Sequence, residues 1–226
     1  MKNHALSLFA VLALASPCWC QFLQSGHDYG AAIMPILDVL RRGHVSGSLE
    51  YSGSCTDQFR NPDFSKLNTP SSDSEPPLQG LREMFANDKD MQVTQEPDRT
   101  IRMVAKSVPQ DLLNVKIGHI SFDEEDKKLP MFFPINVLWV ITHSPEVVTF
   151  MKDNDIGLVH TIMNEASSSV PRASGELNNV TLSQALDSML KTFAGLWVYE
   201  NCPGDSKNKR VVFFSFYRTG NTPQIK

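Results

Sequence analysis

The clearest pattern in the chain lies near its end. Leu182, Ala185, Leu186, Met189, Leu190 and Phe193 recur at i, i+3, i+4, i+7, i+8 and i+11, the spacing that puts one apolar stripe on a helix. Thr181 stands at the cap position and Gln184 three residues later, which is the capping-box arrangement. Gly195 stands where a left-handed C-terminal residue would end such a helix. Strands over 196–200 and 210–217 are expected next, joined by a polar loop containing Pro203, Gly204 and Asp205. A fainter copy of this order lies upstream. Leu78, Leu81, Phe85 and Ala86 suggest a short helix, and strands over 91–95 and 100–105 flank a Glu96-Pro97-Asp98-Arg99 turn. Helix–strand–strand therefore occurs twice, as a repeat of supersecondary type.

The remaining segments read less sharply. Tyr29–Arg42 looks helical, with Asp28 to cap it and Gly43 to end it. Val45, Leu49 and Tyr51 alternate with Ser46, Ser48 and Glu50, the mark of a half-buried strand. Residues 52–77, rich in Ser, Asp, Asn, Thr and Pro, read as a long loop. Ser107-Val-Pro-Gln110 is a second capping-box pattern leading into Leu112 and Leu113. Val115–Phe122 is a candidate strand, Asp123–Lys128 a charged turn, and Pro145–Met151 the start of a short helix. The apolar run Met131–Thr142 is about half a membrane span and contains Pro134, which favours a buried strand over a transmembrane helix. The fold class expected is α+β, with small mixed sheets packed by helices and the two helix–strand–strand units in one or two domains. Its divisions are a leader over 1–20, a helix and strand over 21–51, the loop 52–77, a first α+β unit with an insertion over 78–166, and a second α+β unit over 167–226.

The first twenty residues change the picture of where the protein works. Lys2 and His4 precede the apolar run Ala5–Ala15, and small residues follow, with Ala13-Leu14-Ala15 as a cleavage-type site. This is the plan of a secretory signal peptide. Export then bears on the cysteines. Cys18 and Cys20 belong to the leader or its edge, leaving Cys55 and Cys202, and two cysteines in an exported chain favour one disulfide. Closing a loop of 100 residues or more would contribute about 4–5 kcal/mol by the chain-entropy account. Two unrelated thiols are the alternative. The net charge of −4 and pI near 5.8, with basic residues scattered, speak against nucleic acid as a partner.

At Val108-Pro-Gln-Asp-Leu-Leu and Val180-Thr-Leu-Ser-Gln-Ala-Leu-Asp-Ser-Met-Leu, the chain resembles the short N-terminal domain of secretins and TonB-dependent receptors, clearest over residues 176–217. In that family a strand ending "nVpL" or "nVtL" runs into a helix of the form L-x-x-A-L-x-x-L-L, followed by Gly and an aromatic strand, here Gly195-Leu-Trp-Val-Tyr. The chain departs from the pattern in the stretch Asp123–Asp155, which the family lacks, and in having no barrel or ring segment after Tyr217. The resemblance implies a small α+β module in a bacterial periplasm that docks other protein domains and has no chemistry of its own. The partner expected is a cell-envelope protein. Val212, Phe214 and Phe216, on one face of the last strand, are the candidate docking residues; core packing is the plainer use of the same side chains.

No residue pattern announces a reaction. His119, His143 and His160 lie in no H-E-x-x-H motif, no G-x-S-x-G elbow occurs, and Asp153-Asn-Asp-Ile-Gly157 lacks the glycine and glutamate spacing of a calcium loop. Asn179-Val-Thr181 is a glycosylation sequon whose Thr181 is already used as a helix cap. The expected function is that of an exported, periplasmic, non-enzymatic interaction protein, with no catalytic or metal residues, no cofactor and no membrane span in the mature chain. The alternatives are a small-ligand carrier walled by Met131–Thr142 and an exported hydrolase whose site is dispersed in sequence. Non-reducing peptide mapping of the exported chain is expected to yield one linked Cys55–Cys202 peptide that reduction separates; free thiols at both positions would remove the bridge.

Overall fold

The computed structural model describes residues 33–53, 67–68, 76–123, 133–160, 171–204 and 207–219. The leader, Cys55 and most of the 52–77 loop lie outside them. The chain is α+β, with a six-stranded mixed sheet, a two-stranded ribbon and helices against both faces of the large sheet. The elements are α1 (residues 33–42), β1 (Gly47–Ser52), α2 (Pro77–Met84), β2 (Met91–Gln95), β3 (Ile101–Ala105) and β4 (Lys116–Ser121). They continue with α3 (Pro134–Thr142), α4 (Pro145–Asp153), β5 (Ile156–His160), β6 (Glu176–Thr181), α5 (Leu182–Thr192), β7 (Gly195–Pro203) and β8 (Arg210–Arg218).

The large sheet runs β2-β3-β1-β7-β8-β5, and β4 pairs with β6 in the ribbon. Strand β1 is parallel to both β3 and β7, so the two helix–strand–strand units, α2-β2-β3 and α5-β7-β8, meet on either side of it. They are repeats of element order only: β1 touches the second strand of the first unit and the first strand of the second. Along β1 successive side chains alternate between faces. Ser48 and Glu50 share a face with Arg102, Trp197, Tyr199, Phe214 and Phe216, as the registers Ser48↔Arg102, Ser48↔Trp197, Glu50↔Tyr199 and Tyr199↔Phe214 require. Helices α5 and α3 cover that face. On the other, the Cβ position of Gly47 points at Leu40 of α1, and α2 stands beside α1 with Gly80 facing Val39. One continuous cluster of buried apolar side chains spans both sides of the sheet.

Helix α5 forms as its sequence indicates. Its apolar stripe is buried, Gln184 N–H donates to the Thr181 hydroxyl, and the Thr181 N–H donates back to the Gln184 side chain. The next two amides are also satisfied, Leu182 N–H by the Val115 carbonyl and Ser183 N–H by that of Leu113. Its C-terminus differs from expectation. Gly195 opens β7 with ordinary backbone angles, and it is Gly because any Cβ would run into the Tyr217 carbonyl and the Phe216 ring. A similar exchange occurs at α1. His44, at φ 51°, takes the left-handed position expected of Gly43, and Val45 N–H bonds back to the Leu40 carbonyl. Gly43 serves close approach instead, since a Cβ there would overlap Pro77.

Three further expectations are corrected. Strand β1 is buried on both faces, with Ser48 and Glu50 as covered as Leu49 and Tyr51, because strands flank it on both sides and helices lie over both faces. The apolar run ending at Thr142 is helix α3, with Pro134 in its first turn, where a missing N–H does no harm. The stretch after Ser107 forms turns and no helix; the Ser107 hydroxyl bonds to Asp90 in place of a cap, while Leu112 and Leu113 are still buried.

Thr181→Ala should lower stability by about 0.5–2 kcal/mol, the usual loss for a helix cap. Gly195→Ala should cost more than Thr181→Ala, because its added methyl meets a strand backbone that cannot rotate away. Urea titrations of the two variants check both the sizes and the order.

Candidate functional site

The most distinctive side-chain cluster sits on the α5 side of the sheet. Arg102 of β3 lies between Glu50 of β1, at 3.5 Å, Glu96 of the β2–β3 turn, at 3.2 Å, and Asp187 of α5, in close contact. Its guanidinium also donates to the Ser183 hydroxyl at 3.3 Å. Glu50 accepts from the Gln110 amide at 2.8 Å, and Asp187 accepts from the Trp197 indole N–H at 3.0 Å. Three carboxylates thus share one guanidinium. The Glu50 side chain is 3% exposed, those of Arg102 and Asp187 19% and 18%.

Burial raises the Glu50 pKa above the usual carboxylate value; the Gln110 hydrogen bond and Arg102 oppose the rise, and Asp187 adds to it. Asp187 is raised for the same leading reason, opposed by Arg102 and Trp197. Next to this cluster on the same face, Tyr199 is fully buried, and its hydroxyl has no hydrogen-bond partner among the described residues. Burial raises its pKa as well. Nearby, Arg210 Nη2 donates to both carboxylate oxygens of Asp111, at 2.8 and 2.9 Å.

Chemically, the cluster ties β1, β3, α5 and the 106–115 segment into one polar contact inside an apolar interior. Two carboxyls with raised pKa are the raw material of acid–base chemistry. Here Arg102 holds both in direct ion pairs, which makes the arrangement a structural clamp. None of these residues was marked in the sequence. Glu50 occupies a polar slot of the β1 alternation that reads as solvent-facing, and Arg102 and Asp187 carry no motif. The one available signal was Asp187 beside an apolar helical stripe, four residues after Ser183.

The residues marked from sequence fall elsewhere. Val212, Phe214 and Phe216 are core: the first two are fully buried, Phe214 lies against Tyr199 with ring centroids 5.1 Å apart, and Phe216 meets Phe193 edge-on. Strand β8 is hydrogen-bonded to β7 along its whole length and to β5 over Arg210–Phe214, so at Val212 and Phe214 strands flank it on both sides. Core packing is the use the structure shows for these side chains. Cys202 is buried and disulfide-bonded, and its partner lies outside the described residues, as Cys55 does.

His119 lies exposed on β4 against Asn178, and His143 caps α3, stacked on Trp139 with centroids 3.4 Å apart and its pKa lowered by burial. The side chain of His160 lies outside the described residues. Among the described residues no group of three or more His, Cys, Asp or Glu could hold a metal ion, and no helix is long and apolar enough to cross a membrane. A concave pocket of about 560 Å³ opens between the start of α2 and the β2–β3 turn, lined by residues including Val45, Pro76, Leu78, Pro97 and Arg99. Helix α3 does not line it; its buried residues pack on α5 and β8. No protein-family model, no curated protein and no solved structure matches the chain.

Arg102→Met would leave Glu50 and Asp187 buried without a cation, and should destabilise the fold by about 3–5 kcal/mol. Arg102→Lys should recover part of this loss, since an ammonium keeps the charge but not the fork that reaches several carboxylates. Denaturant unfolding of the two variants checks the ranking.

Proposed function

We propose that the mature chain is an exported, periplasmic, non-enzymatic interaction module of the secretin/TonB short N-terminal type, working against a protein of the cell envelope. The observation that carries this reading is the unit β6-α5-β7-β8, in which a strand ending Asn-Val-Thr enters the capped helix and is followed by Gly195 and the aromatic strand, the order that the resemblance implies. The Glu50–Arg102–Asp187 clamp is consistent with it, since it engages its own carboxylates internally.

Because Val212 and Phe214 of β8 lie between two paired strands, docking through a sheet edge is sought on β5. Strand β5 ends the large sheet among the described residues, and its Val159 is 41% exposed. The edge strand Ile-Gly-Leu-Val-His carries no Lys, Glu or Pro, the residues that ordinarily discourage strand addition. The pocket beside α2 favours a second reading, that of a small-ligand carrier.

A photo-reactive amino acid placed at Val159 in the exported chain is expected to give one defined envelope-protein adduct in the periplasm, while the same probe at Met34, exposed on α1, gives none. A chain retained in the cytoplasm would remove the localisation. Absence of any adduct from Val159 in a folded periplasmic chain would remove β5 as the docking edge.

A further inference from the structure

We propose that the Glu50–Arg102–Asp187 cluster is a proton-uptake site, so that mild acidification tightens the clamp between β1, β3 and α5. The geometry sets a charge imbalance: Arg102 brings one positive charge to Glu50, Asp187 and Glu96, and only Glu96, at 44% exposed, is well hydrated. The Arg102–Glu50 separation of 3.5 Å is long for a charge-assisted bond, so the most deeply buried carboxylate is the least well compensated.

The surrounding groups add little positive charge. From the β2–β3 turn, Asp98 adds to the negative potential at Asp187. Gln110 and Ser183 contribute neutral dipoles, and the Trp197 N–H donates to Asp187. Asp111, near Tyr199, is half exposed, and one Arg210 nitrogen donates to both of its carboxylate oxygens, so the Arg210 charge is largely committed. A proton on Glu50 or Asp187 removes one uncompensated charge and leaves Arg102 a single buried carboxylate.

The direction in pH follows from where the proton is held more tightly. The ordinary values are 4.5 for Glu50 and 3.8 for Asp187, and in the fold both are raised by burial. From those ordinary values up to the raised ones, the folded chain holds more protons than the unfolded chain. The cluster's contribution to stability is therefore fully present at low pH and falls as pH rises through that interval. This is opposite in sign to surface carboxylates paired with lysines, so the informative readout is the difference between wild type and isosteric neutral variants.

The test is thermal unfolding of the mature, oxidised chain between pH 4 and about 8, for the wild type, Glu50→Gln, Asp187→Asn and the double variant. The double variant is expected to gain on the wild type as pH rises. The relative gain is read as a Tm difference between the two proteins that widens as pH rises across this range. A difference that is flat with pH, or that favours the wild type at high pH, overturns the proposal. Carbon-detected NMR titration of the wild-type side chains gives an answer that does not depend on the variants folding. Midpoints for Glu50 and Asp187 above their ordinary values are expected, and both lying at or below them would also overturn it.

Discussion

A charged residue at the middle of a sheet buried on both sides is the constraint on which this fold turns. Among the described residues, strand β1 joins the two helix–strand–strand halves of the large sheet, and it carries Glu50 into a layer that includes Trp197, Tyr199, Phe214 and Phe216. A lone carboxylate there would be very costly. Arg102, one strand away, supplies the counter-charge, and Asp187 of α5 completes the contact from above the sheet. The polar bridge therefore fixes where α5 sits as well as satisfying β1. An apolar substitute could fill the same space, but it would not specify which turn of α5 faces which strand.

Helix α5 is the second element in this dependence. Its first amides are bonded by Thr181 and by carbonyls of Leu113 and Val115, so its start is fixed by the ribbon and by the segment that also supplies Gln110 to Glu50. Helix α3 packs against it and also against β8. The stretch Asp123–Asp155, foreign to the family pattern that the chain resembles, thus contributes α3 and α4 and leads directly into β5. It is part of the helical layer over the sheet, and removing it would uncover the face of β8 that α3 packs against.

The parts of this architecture that were legible in the sequence are those governed by local chemistry. The capping box, the α5 stripe, the Glu96–Arg99 turn and the strand pairs that follow each helix are written in neighbouring residues. What was not legible depends on who the neighbours turn out to be. The alternation in β1 looks half-solvated until strands and helices are known to flank it on every side. The run of α3 is short and apolar throughout, a case in which periodicity does not separate helix from strand. Gly43 and Gly195 look like helix terminators, yet each is needed for a close approach to Pro77 or to Tyr217 and Phe216, contacts remote in sequence. The clamp escaped for the same reason, because Glu50, Arg102 and Asp187 are separated by 52 and 85 residues along the chain.

The same distinction bears on function. Side chains that looked available for docking on β8 are the ones the core uses most completely, since a strand apolar on both faces is best placed inside a sheet. Availability belongs instead to an edge, where backbone groups are unpaired on one side. Strand β5 is such an edge among the described residues, short and lacking charged side chains. A partner strand added there would extend the sheet beyond β5 without disturbing the clamp, which lies among β3, β1 and α5. Recognition at β5 and proton uptake at Glu50 and Asp187 are therefore separable in space. They share one sheet, in which β7 and β8 stand between them.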